Sequence, residues 1–233
     1  MADNAPQARR KVMVSWSSGK DSAWTLWQLL QDPSVEVVGL LTTYNSEFDR
    51  VAIHGVRRQI LQRQVELAGL PLLEVALPWP CSNADYEHAM EWALARAREY
   101  YYADTVAFGD LFLEDVRQYR EQQFANSDLQ PMFPLWGQPT DVLARQMIDA
   151  GLRASVSCLD PKQMPADLAG ATFDHDLLDR LPSEVDPCGE RGEFHTCVWA
   201  GPMFRRNLEL IQGEVVERSG FVYADLCERT PNA

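Results

Sequence analysis

Short apolar runs alternate with segments of helical periodicity along the first half of the chain. Four runs rich in Val, Leu or Thr predict buried strands, at residues 12–16, 35–43, 72–77 and 105–108. Between them, apolar residues recur every three or four positions, which predicts helices over 22–31, 55–68 and a long segment capped by Asn83. This alternation predicts an α/β fold, with a parallel sheet that has helices on both faces.

The second half of the chain is less regular and predicts a smaller α+β part. Helical spacing occurs at residues 116–125, 141–150 and 174–181, and strand-like runs occur at 153–158 and 194–199. Residues 131–139 are an apolar, proline-rich connection, and a hairpin is predicted around 214–223. Residues 1–10 are polar and are predicted to form a mobile tail.

Charge and cysteine content narrow the class of protein. The 233 residues carry a formal net charge of −13, which repels nucleic-acid phosphates and anionic membrane surfaces. The five cysteines are odd in number and show no CxxC spacing, which indicates reduced thiols rather than disulfides or zinc. No apolar run approaches the roughly 20 residues of a membrane span. We therefore expect a cytoplasmic protein with neither a nucleic-acid nor a membrane partner.

The polar segment after the first strand carries the strongest candidate chemistry. Residues 17–22 read Ser-Ser-Gly-Lys-Asp-Ser and lead into a helix. Small residues let backbone N–H groups turn towards an anion, the helix N-terminus adds positive potential, and Lys20 supplies a cation. Asp21 would repel a bare phosphate, so we expect it to bind Mg²⁺ or to pair with Lys20. The common phosphate loop ends in Gly-Lys-Ser/Thr, so this is a different motif.

This loop resembles the Ser-Gly-Gly-Lys-Asp-Ser signature of the PP-loop superfamily, the N-type ATP pyrophosphatases, with Ser18 in place of the first glycine. The resemblance implies a HUP-type (adenine nucleotide α hydrolase-like) fold. It also implies a set of ATP-binding residues that extends beyond the loop, namely Ser15, Ser17, Ser18, Gly19, Lys20, Asp21, Ser22, Thr42, Thr43, His54, Gly109 and Asp110.

Further stretches resemble one branch of that superfamily, the diphthine–ammonia ligase-like (diphthamide synthase domain) family. They are His54 with its helix and Leu-Pro-Leu at 70–72, Phe-Gly-Asp-Leu at 108–111 with Arg117 and Glu121, Pro-Leu-Trp at 134–136, the acidic run 186–196, and Gly-Pro-Met-Phe at 201–204. The resemblance implies a PP-loop ATP-binding domain at 11–128 and a substrate-binding part at 129–233. It implies a ligase that adenylates a carboxylate, releases pyrophosphate and forms an amide with ammonia.

The acidic run supplies candidates for the substrate side of that reaction. Two carboxylates in a Gly-containing loop suit a cationic substrate group, ammonium or Mg²⁺, and His195 could accept a proton from the incoming amine. A solvated acidic loop and a buried, satisfied histidine are the structural alternatives. The predicted substrate-binding residues are Glu190, Gly192, Glu193 and Thr196, and the predicted catalytic residues are Lys20, Asp21, Glu190, Glu193 and His195.

Several assignments keep a structural alternative. Asp110 follows a buried strand and, with Asp21, is a candidate Mg²⁺ ligand, but it could instead cap the next helix. His54 could bond a backbone group rather than a ligand. Cys188 and Cys197 could be nucleophiles, although the sequence places no base beside them and inert thiols are favoured.

Two rival functions remain open, and so does the formation of a homodimer. A PP-loop enzyme that modifies RNA would predict a basic extension or cysteine pairs, and neither is visible. A non-catalytic ATP-binding protein is supported only by Ser18 in place of glycine. Exposed Trp residues and the run Tyr100-Tyr101-Tyr102 would permit a homodimer, although such residues more often lie in a core.

Overall fold

The computed structural model describes residues 8–229 as two sheets with flanking helices. The elements are, in chain order, β1 (Arg10–Ser15), α1 (Lys20–Gln31), β2 (Val35–Asn45), β3 (Arg50–Val51), α2 (Arg58–Ala68), β4 (Leu72–Leu77), α3 (Asn83–Tyr101), β5 (Thr105–Ala107), α4 (Glu114–Phe124), β6 (Gln130–Met132), α5 (Thr140–Asp149), β7 (Arg153–Leu159), a 3-10 turn (Ala166–Leu168), α6 (His175–Arg180), β8 (Phe194–Ala200), β9 (Leu210–Arg218) and β10 (Phe221–Glu228).

The first sheet has six strands and is mainly parallel. β2 lies between β1 and β4, β1 continues to β5 and β6, and only the short β3 runs antiparallel, against the end of β2. Successive residues of β1 face opposite sides of this sheet. Val12 and Val14 pack into the same core as α1 and α2, whereas Met13 packs into the core that includes α3. This confirms the predicted α/β fold of the HUP type.

The second sheet is the smaller C-terminal part, and it is antiparallel in the order β8-β7-β10-β9. It docks on the first sheet through main-chain and ionic contacts. The Val198 N–H of β8 donates to the Ser18 carbonyl at 2.9 Å, and Asp225 of β10 accepts from Arg50 and Arg57. The loop at residues 17–22, called the phosphate loop below after its expected ligand, is therefore attached to both sheets.

Local chemistry explains where the elements differ from the predicted ones. The predicted cap Asn83 is wrong, because Ser82 caps α3 through a reciprocal capping box with Asp85. Helix α2 begins at Arg58 rather than at Gly55, whose φ of +66° lies outside the helical region. The predicted connection 131–139 begins inside β6, a strand that the Pro-rich sequence concealed.

The predicted tail and the aromatic run have mixed outcomes. Residues 1–7 of the tail lie outside the described residues, and Arg10 already belongs to β1. Tyr100 and Tyr102 are exposed, so the core interpretation is wrong for them, while the Tyr101 hydroxyl donates to the Leu72 carbonyl at 3.1 Å. All five cysteines, which lie within residues 8–229, are free thiols. None of the helices described is both long and apolar enough to cross a membrane.

Candidate active site

A cleft of about 740 Å³ opens where the carboxyl ends of the parallel strands meet the second sheet. Ligands of parallel α/β sheets bind at this edge. One wall is the phosphate loop, a second consists of the ends of β2, β4 and β5, and the third is residues 188–190 together with the start of β8. Many of the predicted residues line it: Ser15, Ser17, Lys20, Asp21, Ser22, Thr42, Thr43, His54, Gly109, Asp110, Glu190, His195 and Thr196.

Lys20 lies between the two sheets. Its ammonium donates to Asp21 Oδ2 at 2.8 Å and to the Cys188 carbonyl, and its side chain is only 2% exposed. The ammonium also lies 5.4 Å from the ring centre of Phe194. Burial is the largest effect and opposes the charge, but the neighbouring Asp21, Cys188 and Glu190 together outweigh it, so the pKa of Lys20 is raised and the side chain stays cationic. A fixed positive charge therefore stands at the phosphate loop.

The loop is held in shape by groups that reach across to β8. The Lys20 N–H donates to Thr196 Oγ1 at 3.0 Å. Gln64, on the buried face of α2, accepts from Trp16 Nε1 at 3.1 Å and donates to the Ser18 and Val198 carbonyls at 3.2 and 2.7 Å. Gln64 is a supporting residue that was not predicted from the sequence. Its signal was a glutamine within the apolar stripe of a helix.

Two glycines allow close approach of the walls. A Cβ on Gly19 would lie 2.7 Å from His54 Cε1, and a Cβ on Gly109 would lie 2.8 Å from the backbone carbonyl carbon of Asp21. Neither position has room for a side chain without a shift of the loop. Gly109 thus brings the end of β5 against the phosphate loop.

The two histidines form a pair beside the loop. The rings of His54 and His195 have centroids 4.6 Å apart, and His54 Nδ1 lies 3.2 Å from the Thr196 carbonyl. The backbone contact that was the alternative for His54 is therefore present. Burial lowers the pKa of His54 to about 4. The pKa of His195 lies well below its usual value, mainly because the ring is buried and also because His54 and Lys20 are close to it. Both imidazoles are neutral at pH 7 and can accept a proton.

Glu190 lies in the loop before β8 and lines the cleft. Its Oε1 accepts from the Leu111 N–H at 2.7 Å, and Asp186 Oδ1 accepts from the Glu190 N–H at 3.3 Å. Burial raises the pKa of Glu190 to about 7, and the charge of Asp21 adds to that effect. The carboxyl group can thus exchange a proton near neutral pH.

Glu193 and Gly192 do not line the cleft. Glu193 is 1% exposed, and its two oxygens accept from the N–H groups of Asp186 and Arg191, both at 2.9 Å. It therefore shapes the loop that presents Glu190. Gly192 has a φ of +85°, which a glycine adopts without strain.

Asp110 and Asp21 differ in their fitness for Mg²⁺. Asp110 is not a helix cap, because α4 begins at Glu114 with Leu113 as its N-cap. Its Oδ2 is buried, lies 3.6 Å from Arg120 Nε and accepts no hydrogen bond from the described residues. Both oxygens of Asp21 bond to Lys20. Within residues 8–229 no three His, Cys, Asp or Glu side chains are arranged to hold a metal. Asp110 alone fits an ion bound mainly by phosphates and water.

Two buried thiols near the site are poor nucleophiles. Burial raises the pKa of Cys188 far above its usual range and that of Cys197 to about 12. Such thiols stay protonated at neutral pH, which supports the inert interpretation of both.

Comparison with known proteins agrees with this geometry. The family model described as Diphthamide synthase N-terminal domain matches residues 10–129, and the one described as Diphthamide synthase C-terminal domain matches residues 139–227. A diphthine–ammonia ligase from Danio rerio is 25% identical over 236 residues, covering 92% of this chain and 91% of the relative. A diphthine–ammonia ligase from Schizosaccharomyces pombe is also 25% identical over 233 residues, but the match covers 90% of this chain and 37% of that relative. The chain belongs to the diphthamide synthase family.

Proposed function

We propose that this protein is an ATP-dependent ligase that adenylates a carboxylate, releases pyrophosphate and forms an amide with ammonia. The observation that carries the proposal is the two-sided cleft, in which the phosphate loop and the acidic loop of the second sheet face one space. The family and the names of the relatives support a ligase of this kind. The acid is a diphthine-like carboxylate, on a small molecule or on a modified protein side chain.

The phosphate loop is suited to bind the triphosphate. Ser17 and Ser22 line the cleft beside Lys20, whose charge offsets the charge that develops on the departing pyrophosphate. Thr42 lines the cleft near the end of β2, and its buried hydroxyl has no partner among the described residues, so it is available to the nucleoside. A carboxylate oxygen then attacks the α-phosphate, pyrophosphate leaves, and an acyl-adenylate forms.

Groups on the opposite wall are suited to the second half of the reaction. Ammonia attacks the acyl carbon, and the tetrahedral adduct must lose a proton as AMP departs. His195 is neutral and lines the cleft, so it can accept that proton even though its basicity is low, because the ammonium group becomes strongly acidic as AMP departs and the amide forms. Glu190 offers a carboxylate to the entering ammonium and can remove its proton.

Magnesium fits this scheme as an ion carried by the nucleotide. Asp110 would hold it through Oδ2, which accepts no hydrogen bond from the described residues but lies in an ion pair with Arg120, directly or through water. The ion would supply charge neutralisation to the triphosphate.

The proposal is tested by product analysis. The protein is incubated with ATP, Mg²⁺, ammonia and candidate acids that include diphthine peptides, and AMP and pyrophosphate are expected. Exchange of labelled pyrophosphate into ATP, dependent on the acid, would identify the adenylate. Formation of ADP and phosphate instead would reject the mechanism, and binding of ATP without turnover of any acid would favour a non-catalytic protein.

The same substitution at two lysines, one inside and one outside the cleft, tests the role of Lys20. Lys20→Met keeps the apolar stem beside Phe194 but removes the charge, and turnover is expected to fall at least about 100-fold. Lys162→Met alters an exposed lysine outside the cleft and should leave turnover unchanged. Equal activity of the two variants would show that Lys20 does not act on the phosphates.

A further inference from the structure

The edge of the second sheet is exposed over its whole length. Strand β9 pairs with β10 on one side and with no other strand among residues 8–229. Leu210 is half-buried and all the residues of β9 after it are exposed, including the apolar Ile211, Val215 and Val216, which are 44%, 48% and 40% exposed. Proteins normally shield such edges, because the free N–H and C=O groups pair readily with another strand.

The β9–β10 turn fixes which backbone groups face outwards. Its two residues, Ser219 and Gly220, have φ values of 53° and 82°, as in a two-residue hairpin turn with positive φ at both positions. Arg218 and its neighbour in β10 therefore form a hydrogen-bonded pair, and such pairs alternate along an antiparallel ladder. Val216 thus bonds to β10, whereas the backbone groups of Val215 and Glu217 point to the free edge.

A register shift limits the regular part of this edge. The pairing of β9 with β10 slips between Ala224 and Leu226, so the alternation changes near Gly213. Only residues 214–218 present a continuous ladder. An antiparallel partner must match outward groups with outward groups, which restricts the possible registers to those around Val215, Val216 or Glu217.

We propose that β9 pairs antiparallel with β9 of a second copy of this chain, about a two-fold axis at Val216. In this register Val215 exchanges hydrogen bonds with the partner's Glu217, and Val216 packs against the partner's Val216. Glu214 lies opposite the partner's Arg218, so two opposite-charge pairs flank the axis. A two-fold axis at Val215 would instead place Glu214 opposite Val216 and leave it without an opposite charge. One at Glu217 would place the two Glu217 side chains opposite each other. The charges of the strand therefore complement themselves in one register.

The area of contact sets the expected strength. A ladder of five residues from each copy is smaller than the roughly 800 Å² per partner of a standard interface, so dissociation on the order of micromolar is expected. The strand lies outside the lining of the cleft, so changes in it should leave catalysis intact.

Charge exchange tests the pairing. Sedimentation velocity of the full chain from about 1 to 200 µM should show a concentration-dependent dimer. Glu214→Arg should weaken it at least about 10-fold by placing like charges opposite each other, and Glu214→Arg with Arg218→Glu should restore it. A wild-type monomer throughout this range, or a dimer that Glu214→Arg does not weaken, would overturn the proposal.

Cysteine cross-linking tests the register. Val216 sits in a non-hydrogen-bonded pair with itself, where the Cα atoms lie about 4.5 Å apart, within the range of a disulfide. Val216→Cys should therefore cross-link under mild oxidation, whereas Val215→Cys, offset from its own copy, should not. Wild type controls for the partly exposed Cys81 and Cys227. Equal cross-linking of the two variants would overturn the register.

Discussion

Ser18 occupies a backbone position that favours glycine, and this makes its replacement informative. Its φ is 69°, in the left-handed region, and its buried Oγ has no hydrogen-bond partner among the described residues. The superfamily signature that the loop resembles has glycine at this position. We therefore predict that Ser18→Gly stabilises the protein.

The size of the effect follows from three contributions. A left-handed conformation costs a non-glycine residue about 1–2 kcal/mol. A buried hydroxyl without a partner adds about 1 kcal/mol. Glycine gives back about 0.4–1 kcal/mol through the greater freedom of the unfolded chain. The expected net gain in the free energy of unfolding is about 1–2.6 kcal/mol, which raises Tm by roughly 2–10 °C for a chain of this size.

Urea and thermal unfolding of three variants separate these contributions. Ser18→Ala removes the hydroxyl but keeps the left-handed backbone, so it should gain only part of the stability. Ser17→Gly is the matched control, because Ser17 Oγ bonds to Ser22 Oγ at 3.2 Å and φ at Ser17 is not positive. Ser17→Gly should destabilise. If Ser18→Gly destabilises as much as Ser17→Gly, the argument from backbone strain is refuted.

Other perturbations reach the remaining parts of the site and its support. Gln64→Leu leaves the Trp16 Nε1–H without its acceptor and removes the side-chain donor of the Val198 carbonyl, while the Ser18 carbonyl keeps the Val198 N–H. A loss of about 2–3 kcal/mol is therefore expected in urea unfolding. Glu193→Gln removes one acceptor from the acidic loop, so product formation should fall while the ATP affinity measured by calorimetry stays unchanged. Glu184→Gln, at an exposed position just before that loop, is the control, and an equal loss in both variants would contradict this role. The pKa of His54 is about 4 in the folded protein and 6.5 when unfolded, so the unfolded state binds a proton more readily. The free energy of unfolding should therefore decline as the pH falls from 6.5 towards 4, and His54→Gln should flatten that decline in melts at different pH. Hydrogen bonds from Arg57 and Arg50 lower the pKa of Asp225 to about 2, so these ionic contacts stabilise the fold above about pH 4 and are lost as the pH falls towards 2. Asp225→Asn should cost about 1 kcal/mol at pH 7 after allowance for solvent screening, and an unchanged stability would show that the contacts are fully screened.

The parallel core of the fold was predictable because its strands are short, apolar and separated by periodic helices. Val12 to Trp16 and the helix after Lys20 illustrate this, since burial on both faces forces a continuous apolar run. Strand β6 was not predictable, because Pro131 reads as a breaker and only its position beside β5 makes it a strand. Local signals alone also could not decide between Ser82 and Asn83 as the cap.

The site was predictable where chemistry lies in one segment and not where it depends on contacts across the fold. Lys20, Asp21 and Glu190 reach the same cleft as expected from strand ends and loops. Glu193 and Glu190 look equivalent in sequence, yet one is buried under backbone N–H groups and the other opens into the cleft. That difference depends on the turn of the loop, which no spacing of residues reveals.

Hydrogen bonds between the two sheets link the position of the phosphate loop to the position of the opposite wall of the cleft. Thr196 bonds the Lys20 N–H, the Val198 N–H bonds the Ser18 carbonyl, and the Cys188 carbonyl accepts from the Lys20 ammonium. Each of these partners belongs to the wall that is proposed to receive the acid, while the loop itself belongs to the wall that is proposed to bind ATP. A displacement of the second sheet by a bound acid would therefore move the groups that hold the phosphate loop. The proposed adenylation step then depends on both walls, because the charge at Lys20 is positioned by the wall that receives the acid.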